Sequence, residues 1–181
     1  MTCIIGYKQD DKVWVGADSC ASTDNYRFSA RTKKLIRKDN MLIGSAGSYR
    51  QINLIKHELV IPPHPKNMST DRYINILLVN ALRSCFAKAG FSKIESNQEE
   101  FDGSLLVGYR GRLFELCTDF QILENYKPYA AVGSATELSL GALHVLNTTK
   151  DLTPRQKLYR VFRAASTHDN RVKPPFHIRS I

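Results

Sequence analysis

The sequence contains no apolar run of about 18 residues, which removes a membrane-spanning helix from consideration. Its first residues, MTCIIGYKQDD, have no basic stretch followed by a long apolar one, so no secretory signal is visible and a cytoplasmic protein is the expectation. Cysteine is sparse: Cys3, Cys20, Cys85 and Cys117 are far apart and form no CxxC pair. Without an export signal they read as small buried apolar residues rather than disulfide partners or zinc ligands. The five histidines show no metal-ligand spacing, and His144 and His177 read as packed or surface residues. Neither a P-loop nor a dinucleotide fingerprint appears, so no cofactor is expected and any ATP dependence would have to come from another protein. No internal repeat or low-complexity segment is present.

What remains is an ordinary globular composition of 181 residues, 43% hydrophobic and 24% charged. That length suits one domain spanning 1–181. A formal charge of +9 is large for the size. It is compatible with acidic or nucleic-acid partners, or with simple solubility. The one local concentration of cations is Arg31, Lys33, Lys34, Arg37 and Lys38, on a segment that reads as a strand. Strand alternation sends these side chains to opposite faces, which argues against one continuous phosphate-binding stripe and makes nucleic acid an unlikely partner.

CIIGYK and VWVGAD read as two strands, and KKLIRK and MLIGSA as a second pair turning at Lys38-Asp39-Asn40. A helix is expected over about 49–59, then a break at Ile61–Asn67 with its three prolines. A second helix, capped by Ser69, Thr70 or Asp71, should run to about Lys88 with Ile74, Leu77, Leu78, Ala81, Leu82 and Cys85 on its apolar side. Phe91–Asp102 is polar and reads as a mobile loop. SLLVGYR and RLFELCT should form a hairpin through Gly111, and YAAVGS should lead into a helix over about 135–146. Thr153-Pro154 opens a last helix before a closing strand in FHIRSI. Runs of strands and runs of helices, without strict alternation, favour an α+β fold with antiparallel sheets.

Thr2 carries the chemical argument. A threonine hydroxyl is a poor nucleophile near neutral pH unless a base removes its proton, and a free α-amine on the same residue can be that base. Such an amine, with an ordinary pKa of about 7.7–8.0, is substantially neutral at cellular pH. Loss of Met1 would expose it, and a small second residue suits that removal. Met-Thr alone is a common beginning; the surrounding residues are what give it weight.

The series T-C-I-I-G-Y, V-W-V-G-A-D-S, R-T-K-K-L-I and L-I-G-S-A-G-S resembles proteasome β-subunits and HslV-type peptidases, within the N-terminal-nucleophile (Ntn) hydrolases. The family spaces its threonine, an aspartate and a lysine sixteen residues apart, and Thr2, Asp18 and Lys34 have those intervals. The resemblance implies a four-layer αββα sandwich and hydrolysis of amide bonds. Its substrates would be peptides or unfolded proteins, processed in a homo-oligomeric ring and supplied in some members by a separate ATPase unfoldase. An ammonium at Lys34 would lower the pKa of the threonine hydroxyl and amine, and Asp18 would keep that lysine charged. Lys33 is the rival if the register slips by one residue, because a slip reverses the side chain's face. Allowing one residue of shortening, Ala46-Gly47 matches the turn whose glycine N–H serves as oxyanion donor. Ser134, in G-S-A-T-E-L, matches the serine that contacts the threonine amine; it could also simply cap the next helix. Asp169 matches the family aspartate near the end of the last helix. Val172 stands where a serine is expected, and Lys173 and Pro174 replace glycines. Cys3 would be a nucleophile only if processing exposed it, and its side chain should face away from Thr2. Two further readings stay open: an amidohydrolase of the same fold acting on a small amide, and a catalytically silent ring subunit.

Overall fold

The computed structural model describes residues 2–23 and 25–181. Strands β1 (Cys3–Gln9), β2 (Lys12–Ala17), β12 (Tyr129–Gly133) and β13 (His177–Ser180) form one antiparallel sheet in the order β12-β1-β2-β13. A second sheet has the order β11-β10-β9-β6-β5. Its strands are β5 (Leu35–Lys38), β6 (Met41–Gly47), β9 (Gly103–Tyr109), β10 (Arg112–Leu116) and β11 (Ile122–Leu123). Two ribbons stand outside these sheets: β3 (Cys20–Ser22) with β4 (Arg27–Ser29), and β7 (Ser92–Glu95) with β8 (Gln98–Phe101).

The sheets lie face to face. Between them pack Ile4, Val13, Val15, Leu42, Leu106 and Leu113. On the outer side of the first sheet, Cys3, Ile5 and Tyr7 meet α4 (Thr136–Asn147) and α5 (Pro154–His168) through Leu143, Leu158 and Phe162. On the outer side of the second, Ile43 and Val107 meet α1 (Tyr49–His57) and a helical rod. The rod comprises α2 (Thr70–Arg72), a π-helical stretch over Tyr73–Leu78, and α3 (Val79–Lys88). This is the four-layer αββα sandwich. Helices cover the outer faces, so both faces of the central strands are buried. This is why CIIGY reads as an apolar run rather than an alternation.

Three local features differ from expectation. Phe91–Asp102 is mostly the β7–β8 hairpin, not a loop. Ser96 and Asn97 take φ of 50° and 66°, the two-residue turn that matches strand twist. Its eight residues include only two apolar ones, Ile94 and Phe101, too few to show a period; Phe101 packs inward and Arg83 holds Glu99 at 2.6 Å. In the second helix the π stretch widens the coil, so Tyr73, Val79 and Phe86 join the buried side while Leu77, Ala81 and Cys85 sit at its margin. The β3–β4 ribbon has no counterpart in the sequence reading. All four cysteines are free thiols, and Cys3 and Cys20 are buried. No described helix is long and apolar enough to cross a membrane.

The interior between the sheets should dominate stability. Leu106→Ala is expected to cost about 2–5 kcal/mol in denaturant unfolding, from lost transfer energy and a residual cavity. Ile94→Ala, at a side chain 79% exposed on the β7–β8 ribbon, should change it by less than about 0.5 kcal/mol. Equal effects would contradict this placement of the core.

Candidate active site

Strand register brings the singled-out residues to one end of the sandwich. Cys3 pairs with Gly133, so Thr2 lies beside Ser134; Ile4 pairs with Ala17, so Asp18 follows at the same end. In the second sheet Leu35 pairs with Gly44 and Gly47 with Gly103, so Lys34 and Gly47 lie at one end of their strands. Thr2, Asp18 and Lys34 are 1%, 0% and 2% exposed. Lys33 is exposed while Lys34, in the bend just before β5, is buried.

Asp18 is the hub. Its Oδ1 accepts from the Lys34 ammonium at 2.9 Å and from the Cys3 backbone N–H at 2.9 Å. One oxygen therefore bridges the ammonium to the Thr2–Cys3 peptide. Its Oδ2 accepts from the N–H of Cys20 at 2.7 Å and of Lys173 at 3.4 Å. Charge-assisted bonds of this kind offset the desolvation of a buried ion pair.

The Thr2 N–H donates to Ser134 Oγ at 3.1 Å, and the Ser134 hydroxyl donates to the Thr2 carbonyl at 3.3 Å. Helix α4 takes Ala135 as its N-cap with no side-chain cap bond, so Ser134 is turned to Thr2 rather than to the helix. Gly133 makes this contact feasible. Its φ is +105°, and a Cβ there would stand 2.3 Å from the Thr2 carbonyl oxygen.

Gly47 ends β6 with φ +144°. It follows Ala46, whose Cβ lies against Gly133. A Cβ on Gly47 would meet Gln51 Oε1 at 2.5 Å and the Asp102 carbonyl at 2.8 Å. Sequence reasoning missed this Gln51, which is fully buried under Gly47 and Gly103. Among the described residues its amide atoms, Ser45 Oγ and the Tyr49 hydroxyl are buried without a hydrogen-bond partner. Burial, reinforced by the charges of Asp18 and Cys20, pushes the Tyr49 hydroxyl up to about 12. The available signal was a glutamine on the face of α1 that carries Ile52 and Ile55.

Asp169 is the C-cap of α5 and shares a surface groove with Ser134. Its carboxylate holds the Arg171 backbone N–H and guanidinium, both at 2.8 Å on Oδ1. Burial would raise its pKa, but these bonds outweigh burial and leave it lowered. No hydrogen bond joins Asp169 to Thr2 or Ser134 among the described residues. Val172 is buried in the apolar cluster beneath α5. The segment that stands in place of the expected glycines meets Asp18 through its backbone: Lys173 donates its N–H to Asp18 Oδ2 and its carbonyl accepts from the Ser19 N–H at 2.9 Å. Ser19 and Ser29 hydroxyls donate to the carbonyls of Pro175 and Pro174. The segment after α5 is thereby bound to the loop carrying Asp18.

Cys3 faces α4, with its thiol 3.3 Å from Ser139 Oγ. Burial pushes it up to about 12. His144 Nδ1 shares a hydrogen bond of 3.0 Å with the Tyr129 hydroxyl. No group of three or more His, Cys, Asp or Glu among the described residues could hold a metal ion.

No family model and no curated protein matches the chain in sequence. Among solved structures the likeness spans nearly the whole chain. BPH from Thiobacillus denitrificans superposes with a TM-score of 0.84 at 16% identity, covering 99% of this chain and 97% of that one. Eukaryotic HslV from Trypanosoma brucei gives 0.70 at 18%, covering 98% of each. Anbu, the ancestral β-subunit, from Yersinia bercovieri gives 0.69 at 13%, covering 98% of this chain and 80% of that one. The chain therefore has the fold of the proteasome-type Ntn hydrolases. At such identities the likeness establishes architecture, not residue roles.

Two outcomes follow for the buried charges. Asp18→Asn should cost about 3–5 kcal/mol because it removes the carboxylate facing a buried ammonium. Adding Lys34→Met should recover at least about 1 kcal/mol, and simple additivity in denaturant titrations would contradict the pairing. For Cys3, the unfolded thiol ionises near its ordinary value of 9.0 while the folded one stays protonated to about 12. The folded state then holds the extra proton, so stability should fall as pH rises through that window. Cys3→Ala should flatten the decline, and an unchanged slope would contradict it.

Proposed function

We propose that the chain is a threonine-type Ntn hydrolase that cleaves peptide bonds once Met1 is removed. Met1 itself lies outside the described residues. The observation that carries the reading is the single Asp18 oxygen shared by the Lys34 ammonium and the Thr2–Cys3 peptide, with the Thr2 nitrogen held on Ser134. No other arrangement among the described residues places a buried cation and a buried threonine at a strand terminus in this way.

After loss of Met1, the Thr2 nitrogen becomes a primary amine. It accepts the hydroxyl proton, directly or through one water, while the nearby ammonium favours the ionised oxygen. The alkoxide attacks the scissile carbonyl carbon, and the Gly47 N–H faces the developing oxyanion, a contribution of about 3–4 kcal/mol where such a donor is preorganised. The C–N bond breaks and the leaving amine takes the proton from the Thr2 ammonium. Water then attacks the ester, releasing the carboxylic acid and restoring the hydroxyl. Assembly into a homo-oligomeric ring, with an ATPase unfoldase as a separate partner, belongs to the same reading.

A single kinetic experiment tests it. Protein lacking Met1 should hydrolyse fluorogenic peptide amides, and Thr2→Ala should abolish this. Lys34→Ala should lower kcat by at least about a hundredfold, the scale of lost electrostatic stabilisation. Turnover of small amides but not peptides would move the reading to an amidohydrolase. Equal turnover by Thr2→Ala would exclude Thr2 as nucleophile.

A further inference from the structure

On the side where β5 and β13 form the edges of their sheets, the two edges border a cleft of about 720 Å³. Six cations line it: Arg31, Lys33, Arg37, Lys38, Lys56 and Arg179. No carboxylate lines it, and none of the six makes an ion pair among the described residues. Only Arg37 and Lys38 belong to β5; Arg31 and Lys33 precede it, Lys56 lies in the last turn of α1 and Arg179 in β13. Charges that strand alternation was expected to scatter therefore converge on one cleft from several segments. Only Lys34 is drawn inside.

The cleft has an apolar floor in the buried Leu35 and Ile36. Part of its rim is pinned: the Lys38 ammonium donates to the carbonyls of Ile55 and Lys56 at 3.1 and 3.4 Å, at the end of α1. The potential reaches His177 at the start of β13, whose pKa burial lowers first and Lys33 and Arg179 lower further. Six uncompensated cations around one concavity repel each other, a cost that a bound anion reverses.

We infer that this cleft binds an extended acidic segment of another protein, which adds as a strand to the open β5 or β13 edge and sets its carboxylates among the six cations. Two observations favour a polypeptide over nucleic acid. Among the described residues no further strand follows Leu35–Lys38 or His177–Ser180 in their sheets, so each edge can take an added strand, which only another peptide backbone can match in register. No aromatic side chain lines the cleft for a base to stack on. Edge strands of about four residues fit a segment of about four to six residues at 3.3 Å per residue. The inference is independent of catalysis by Thr2.

Fluorescence anisotropy with the full chain and a labelled peptide of alternating Glu and Val tests it. Binding should be saturable at low salt and should weaken as salt rises. Arg37→Glu combined with Arg179→Glu should weaken it at least about tenfold, with unchanged circular dichroism, because charge complementarity is reversed. Replacing Glu by Gln in the peptide should abolish binding, and N-methylating alternate backbone amides should weaken it about tenfold by blocking strand addition. Four results would overturn the inference. They are absence of saturable binding, equal binding of an oligothymidylate, indifference to the double charge reversal, and indifference to N-methylation. If sedimentation showed self-association lost in the double variant while the peptide failed to bind, the cleft would be a contact between copies of this chain instead.

Discussion

The Asp18 carboxylate is the constraint on which the rest of the site depends. It has four donors, from the start of β1, the start of β3, the lysine before β5 and the turn after α5. These belong to both sheets, to the β3–β4 ribbon and to the chain that returns from the last helix. A fully buried carboxylate is tolerable only if each oxygen is well supplied with hydrogen bonds, so folding must bring these four segments together. The same requirement fixes Thr2, because Cys3 cannot donate to Asp18 unless the first residues of the chain lie in the sheet.

The sandwich then serves as a jig. Antiparallel pairing carries Thr2, Asp18 and Ser134 to one end of the first sheet, and Lys34, Gly47 and Gly103 to one end of the second. The interior between the sheets holds these two ends in fixed relation. Glycines at 133 and 47 allow backbone to approach backbone where any side chain would collide with the Thr2 carbonyl or with Gln51. The candidate reactive groups Thr2, Asp18, Lys34 and Ser134 each sit one residue beyond a strand end, so strand register and the Asp18 hydrogen bonds hold them in place, as preorganisation requires.

Much of this was legible in the sequence because it rests on strand register and spacing. The equal intervals Thr2–Asp18–Lys34 bring the Lys34 ammonium and the Thr2–Cys3 peptide onto one Asp18 oxygen, with Lys34 buried and Lys33 exposed. Other features depend on what only the folded chain brings together. The β7–β8 ribbon was hidden because its strands hold only two apolar residues, Ile94 and Phe101. The value of Lys173 lies in its backbone N–H, which no side-chain motif records. Val172 and Asp169 show the opposite case: Asp169 occupies the expected place by position, yet its carboxylate is engaged by Arg171 and Val172 by the apolar core. Gln51 could be seen on its helix face, but its burial beneath two glycines could not.

The most direct test of Thr2 as the reactive residue is covalent. Protein with Met1 removed should be incubated with a threonine-directed electrophile and digested, and the N-terminal peptide read by mass spectrometry. The account predicts one adduct per chain, on Thr2, and none on protein that retains Met1. An unmodified Thr2, or an adduct on another residue, would contradict it.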